Sequence, residues 1–259
     1  MIFDKIEPIL TLNELIEYGE YVETWLKDQV KQSNKKGVIV GLSGGIDSAL
    51  VAAISNKVFG KNCHTISMMI NPRLEDEKDI NELVKQLNLN HEYINLLDSF
   101  ETIEKKLNLS NKLAIANIKP RLRMLTLYAK AQELDLLVLG TDNLDEAYLG
   151  YFTKYGDGAA DLLPIVRLTK SEVRQLSKYY GVTDSIINKA PSAGLWENQT
   201  DEDEMGISYN QVDDFLRNNS IDATAKERIN HLHKISEHKR IPIPKPNHLP
   251  EFILKLRSK

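Results

Sequence analysis

Residues Val38-Ile39-Val40-Gly41-Leu42 form an apolar run without alternation, and they lead straight into Ser43-Gly44-Gly45-Ile46-Asp47-Ser48. A strand with one wet face alternates apolar and polar residues. A strand with no polar position has both faces covered. Behind the glycine-rich turn, Leu50, Ala53, Ile54 and Val58 recur at helical spacing until Gly60 stops the helix. A buried strand feeding a helix through a tight turn is the first unit of a parallel sheet with helices on both sides.

The rest of the chain extends this pattern. Upstream, Leu12, Leu15, Ile16, Tyr18, Val22, Trp25 and Leu26 mark an amphipathic helix. Downstream, His64 to Ile70 reads as a strand and Ile80, Leu83, Val84 and Leu87 as a helix face. Tyr93-Ile94-Asn95-Leu96 is a short strand, Arg121 to Glu133 a helix, and Leu136-Leu137-Val138-Leu139 another buried strand. The expected fold class is α/β, an open doubly wound parallel sheet with helices on both faces. Past Gly140 the period is lost, and residues 141–165, with Tyr148, Tyr151, Phe152 and Tyr155, are expected to be an irregular functional segment. Thr169-Lys170-Ser171-Glu172 is a capping box that opens a helix ending at Gly181. Residues 190–207 read as irregular and acidic, a lid that orders over a bound nucleotide. Helices close the chain from about Ser208 to Arg217 and from Thr224 to His238, and the prolines of Ile241-Pro242-Ile243-Pro244-Lys245-Pro246 impose an extended tail. No repeat or domain boundary interrupts residues 1–259, which are expected to be a single domain.

The turn after the first strand carries the chemistry. In parallel α/β folds ligands bind at the carboxyl ends of strands. There the helix N-terminus presents free N–H groups and a positive dipole end, which suit an anion. Gly44 and Gly45 allow close approach, and Ser43 and Ser48 add hydroxyl donors. Asp47 would repel a phosphate unless a cation lay between them, which points to Mg²⁺. The loop lacks the lysine of a Walker A motif, and its glycine spacing is not that of a dinucleotide fingerprint.

Composition removes other classes. Net charge is −4 and the pI about 5.9, so no broad basic surface for nucleic acid is expected. One cysteine, Cys63, excludes an internal disulfide framework and a cysteine-rich zinc site, and as part of a strand it is expected in the core. The charged, proline-broken N-terminus is no signal peptide, and no apolar run reaches membrane-spanning length. A soluble cytoplasmic protein is expected.

Ser43-Gly44-Gly45-Ile46-Asp47-Ser48 resembles the pyrophosphate loop of the N-type ATP pyrophosphatases, whose fold is adenine nucleotide alpha hydrolase-like. Later segments narrow the resemblance: Gly140-Thr141-Asp142-Asn143-Leu144-Asp145-Glu146, Phe152-Thr153-Lys154-Tyr155-Gly156-Asp157-Gly158, Leu168-Thr169-Lys170, Pro191-Ser192-Ala193-Gly194-Leu195-Trp196, Gln199-Thr200-Asp201-Glu202-Asp203-Glu204-Met205-Gly206 and His238-Lys239-Arg240. In this order they are similar to the ammonia-dependent NAD synthetases, from about residue 10 to the C-terminus. The resemblance implies a reaction in which deamido-NAD, ATP and ammonia give NAD, AMP and pyrophosphate. It implies ATP on Gly41, Leu42, Ser43, Gly44, Gly45, Ile46, Asp47 and Ser48, with Thr141, Lys170 and Ser192. Mg²⁺ would fall on Asp47 and Glu146, and deamido-NAD on Arg121, Lys154, Asp161, His238 and Lys239. It also implies a homodimer, with Arg121 to Glu133 as a candidate interface helix. Glutamine-dependent relatives carry an amidase domain that is not expected in this chain, so free ammonia, or a separate donor protein, is the expected nitrogen source.

Several of these residues have plainer readings. Glu146 alone is a helix-surface carboxylate. Lys170 sits in a first helical turn, where the macrodipole disfavours a cation, so either an anion binds there or the ammonium swings into solvent. Arg123 matches Arg121 as an anion receptor, and the resemblance alone selects Arg121. Lys154 and Asp161 read as a solvated charge pair, and His238 as a histidine suited to a helix C-terminus. The stretch Asn71-Pro72-Arg73-Leu74-Glu75 is shorter and less serine-rich than the family leads one to expect, and Ser192 stands where threonine is common. The competing readings are another ATP-pyrophosphatase ligase or thiolase with a different acceptor, and a non-catalytic adenine-nucleotide sensor.

Overall fold

A computed structural model describes residues 10–70, 74–191 and 200–246. Its sheet is four-stranded and parallel: β1 (Gly37–Gly41), β2 (Cys63–Met69), β3 (Asn90–Asn95) and β4 (Leu136–Leu139), in the order β3-β2-β1-β4. The register pairs Val38 with Cys63 on one side of β1 and with Leu137 on the other. An isolated bridge from Leu139 to Leu162 continues the sheet past β4.

The unalternating apolar run of β1 has two cores to fill. Val38 and Val40 join Cys63 on one face, packed by α1 (Leu12–Gln32), α2 (Ile46–Phe59), α3 (Leu74–Leu87) and α8 (Lys170–Tyr179). Ile39 joins Ile66, Met68, Leu136 and Val138 on the other, packed by α4 (Leu97–Leu107) and α6 (Ile118–Leu134). Cys63 is buried as expected, and burial raises its thiol pKa to about 12. α1 and α8 both start at capping boxes, Thr11 with Glu14 and Thr169 with Glu172. A third core gathers Leu149, Met205, Ile207, Tyr209, Val212 and Ile229 under α7 (Leu144–Leu149), α10 (Asp201–Met205), α11 (Tyr209–Leu216) and α12 (Ala223–Ile235). The short helices α5 (Lys112–Ala116) and α9 (Asp184–Ile187) complete the order.

Two expectations need correction. Residues 141–165 are not wholly irregular, because α7 lies inside them, capped at Asn143. The acidic run at 201–204 is not irregular. It forms α10, and Asp201 is buried, accepting hydrogen bonds from the Tyr151 and Tyr209 hydroxyls. Residues 192–199 of the expected lid, with Ser192, lie outside the described residues. Among the described residues no helix is long and apolar enough to cross a membrane.

Candidate active site at the carboxyl ends of the strands

β1 ends at Gly41, and the chain turns through Leu42-Ser43-Gly44-Gly45 into α2. Leu42 is pinned from both sides: its N–H donates to the Ile66 carbonyl and its own carbonyl accepts from the Ser67 hydroxyl. Ser48 folds the turn onto itself, accepting from the Ser43 N–H at 3.2 Å and donating to the Gly45 carbonyl at 3.0 Å. Gly44 takes φ +83°, where a side chain is strained, and an added Cβ would meet Asp76 of α3 at 3.4 Å. The α2 N-cap is Gly45, so no side chain caps this helix. Its first N–H groups are left for an anion at the positive end of the dipole.

The N-terminus of α8 is built the opposite way. The Lys170 N–H donates to Asp145 Oδ2 and the Ser171 N–H to Asp213 Oδ2, both at 3.0 Å. Burial, reinforced by Asp213, holds the Asp145 carboxyl well above its usual range. The anion expected at this helix start is therefore the protein's own Asp145–Asp213 carboxyl pair, because those two N–H groups are already taken. They offset the macrodipole that disfavours Lys170 there.

The Lys170 side chain is not a solvated lysine. It is 2 % exposed, with Nζ 2.5 Å from Asp47 Oδ2 and 3.2 Å from Glu146 Oε1. The Tyr209 ring covers its far side, with 4.7 Å from the ammonium to the ring centroid. Burial pulls the Lys170 pKa down, but Asp47 and Glu146 outweigh it and the net shift is upward. Glu146 is moved to about 7, chiefly by burial, against the lowering effect of Lys170. Nor is Glu146 a surface carboxylate: it faces Asp47 across one shared ammonium.

Sequence reasoning missed Asn143 and Tyr209. Asn143 Oδ1 accepts from the Glu146 N–H at 3.0 Å, and its Nδ2 donates to Asp47 Oδ1 at 2.9 Å. The spacing of Asn143 and Glu146 is that of a capping box, a signal present in the sequence. The Tyr209 hydroxyl lies 3.2 Å from Glu146 Oε1 and 3.0 Å from Asp201 Oδ2, and nothing in the sequence marks it. Thr141 lies half-buried just past β4, on the segment Asn143 ties to Asp47.

Four of the remaining residues form a second cluster. Arg121 Nη2 donates to the Lys154 carbonyl at 3.3 Å, and Lys154 Nζ to the His238 carbonyl at 2.6 Å. Lys239 Nζ donates to the Gly150 and Phe152 carbonyls, joining the turn at 237–239 to the end of α7. Asp161 sits elsewhere, accepting from the Val138 N–H at 2.8 Å and the Tyr128 hydroxyl at 3.3 Å. Lys154 and Asp161 are thus not a charge pair, since each is held by a different part of the fold. Arg121 is exposed, whereas Arg123 donates through Nε to the Met68 carbonyl, which separates the two arginines the sequence left equal.

Among the described residues no three His, Cys, Asp or Glu side chains converge as a closed metal site. Asp47 and Glu146 nonetheless bring carboxylate oxygens onto one cation. Two protein carboxylates with remaining positions left to phosphate and water is how enzymes hold Mg²⁺ on nucleotides. The residues present fit such an ion.

Known proteins resemble the chain over most of its length. A family model described as NAD synthase matches residues 18–243. The NH(3)-dependent NAD(+) synthetase of Mycoplasmopsis pulmonis is 55% identical over 93% of this chain and 94% of that protein. A solved structure of NMN synthetase from Francisella tularensis is 42% identical with a TM-score of 0.87, covering 93% of this chain and 100% of that one. The NH3-dependent NAD synthetase from Campylobacter jejuni, solved with nitrate ion, is 29% identical with a TM-score of 0.75, covering 90% and 99%.

Proposed function

The chain belongs to the NAD synthase family, and from that premise we propose how its residues carry out the reaction. The activity is the ammonia-dependent, AMP-forming amidation that completes NAD biosynthesis, on an adenine nucleotide alpha hydrolase-like fold. The nicotinate carboxylate of deamido-NAD is a poor acyl donor because oxide is a poor leaving group. Its oxygen attacks the α-phosphorus of ATP, the bond to the β-phosphate oxygen breaks, and pyrophosphate departs. The carboxyl is then a mixed anhydride with AMP. The ammonia lone pair adds to the acyl carbon, the C–O bond to AMP breaks, and one proton is released. The protein need form no covalent bond, and its work is positioning and charge neutralisation.

The uncapped N-terminus of α2, with residues 41–48, receives the triphosphate, assisted by Thr141, Lys170 and Ser192. Asp47 and Glu146 would hold Mg²⁺, which supplies charge neutralisation on the departing pyrophosphate. Arg121, Lys154, His238 and Lys239 address deamido-NAD from the neighbouring cluster, and Asp161 from the edge of β4. A homodimer packed through α6 fits the exposure of Leu125, 61 %, on that helix. Catalysis within one domain, in the cytoplasm, on free ammonia completes the reading.

The convergence of Asp47, Glu146 and Lys170 at the mouth of the phosphate loop carries this proposal. The test is turnover of ATP, deamido-NAD and ¹⁵N-ammonium with Mg²⁺. AMP and labelled NAD should form together, and Asp47→Asn should abolish both while ATP still binds. ATP consumption indifferent to deamido-NAD would point to another acceptor. The likeness to the Francisella NMN synthetase favours one specific second acceptor, the carboxylate precursor of NMN. Running both acids in the same assay ranks them by kcat/KM.

A further inference from the structure

We propose that Lys170 is the resident counter-ion of the divalent-cation site. Its ammonium holds Asp47 and Glu146 until a nucleotide draws it away, so nucleotide must engage before a divalent ion can bridge the two acids. The proposal rests on the reading of Asp47 and Glu146 as metal ligands and adds an order to their use.

All four oxygens of the pair are engaged. Asp47 Oδ2 accepts from Lys170 Nζ at 2.5 Å and Asp47 Oδ1 from Asn143 Nδ2 at 2.9 Å. Glu146 Oε1 is 3.2 Å from both Lys170 Nζ and the Tyr209 hydroxyl, and Glu146 Oε2 is 3.4 Å from the Asn143 N–H. The oxygens that face each other are those the ammonium holds. A divalent ion and an ammonium cannot share them, because two cations at such spacing repel strongly in a partly desolvated site.

The lysine backbone cannot yield, since its N–H is fixed by Asp145 and its turn by the Thr169–Glu172 box. Only the side chain can move. Tyr209 closes one side of it, and Asp47 itself sits in the first turn of α2, beside the loop that receives phosphate. A polyphosphate entering that loop offers the ammonium a stronger anion within reach of its flexible stem. Once the ammonium turns to phosphate, Asp47 and Glu146 face each other without it, and a divalent ion relieves their repulsion.

Mn²⁺ titrated into the full chain and followed by electron paramagnetic resonance tests the order without relying on turnover. Without nucleotide, the wild type should bind Mn²⁺ weakly. Lys170→Met should bind at least tenfold more tightly, and Lys170→Arg, which keeps a cation, should stay weak. Adding Asp47→Asn to Lys170→Met should remove the gain, locating it at this pair. Lys170→Gln keeps a donor for Asp47 and serves if the methionine variant fails to fold. A folded Lys170→Met or Lys170→Gln with no gain would overturn the proposal, as would a nucleotide-free wild type that binds as tightly as either variant. The amidation assay on the wild type reads the proposed function separately, so an active enzyme whose variants gain no Mn²⁺ defeats this inference alone.

Discussion

Asn143 is fully buried, and its side-chain atoms face two different elements. Its carbonyl oxygen caps α7, which aims Glu146, while its amide nitrogen holds Asp47 across the crevice between β1 and β4. A carboxylate would keep the cap and lose the donor. Asn143→Asp should therefore fold, yet set a second negative charge against Asp47, and kcat/KM for amidation should fall by about two orders of magnitude, the scale of losing one preorganised contact in an active site. Asn143→Ala should also lose the cap, costing about 1 kcal/mol in urea unfolding. The residue type was visible in the sequence as a cap. Its hold on Asp47 was not, because 96 residues separate the partners.

The helix starts divide the labour of the site among elements. α2 begins uncapped beside the Lys170 cluster, whereas α8 begins saturated by the Asp145 and Asp213 carboxyls and carries that lysine. The position of α8 also depends on Glu172, whose carboxylate serves the capping box and is gripped by Arg217 Nε at 3.0 Å and Nη2 at 2.5 Å. Both side chains are 4 % exposed, so removing the guanidinium strands a buried charge. Arg217→Met should lower unfolding free energy by about 3–5 kcal/mol, read as a drop in urea midpoint. Most long elements were legible because their apolar period runs over three or more turns, although α4, with eleven residues, went unread. α7 and α10 have six and five residues, too few for a period to register, and only their caps announce them.

For the whole molecule, the strand order places the crevice between β1 and β4, where the helix leaving β1, α2, and the helix leading into β4, α6, lie on opposite faces of the sheet. That crevice gathers Asp47, Asn143, Glu146 and Lys170 from three separate stretches of chain. At the other end of the sheet, His91 on β3 sets an acid limit on the fold. The Thr65 hydroxyl donates to the Asn90 carbonyl, so His91 Nδ1–H donates to Thr65 Oγ1, and the buried Nε2 has no partner. Burial lowers the His91 pKa to about 4, against an unfolded value near 6.5. Between those values the unfolded chain binds the extra proton, so stability should fall as pH drops from about 6.5 towards 4. The loss from this group should be roughly 1–2 kcal/mol between pH 7 and 5, and His91→Gln should flatten that part of the urea-midpoint profile.

The sequence by itself determined the parallel sheet covered on both faces, the glycine-rich turn after β1 and the family to which they point. These rest on local patterns: an unbroken apolar strand, glycines that free a helix N-terminus, caps and periodic helix faces. The tertiary structure alone decided that the ammonium of Lys170 lies between Asp47 and Glu146, and that Asn143 and Tyr209 hold those acids. Charges and hydrogen bonds act over a few ångströms of space, and here the groups that meet, Lys170 and Asp47, lie 123 residues apart along the chain.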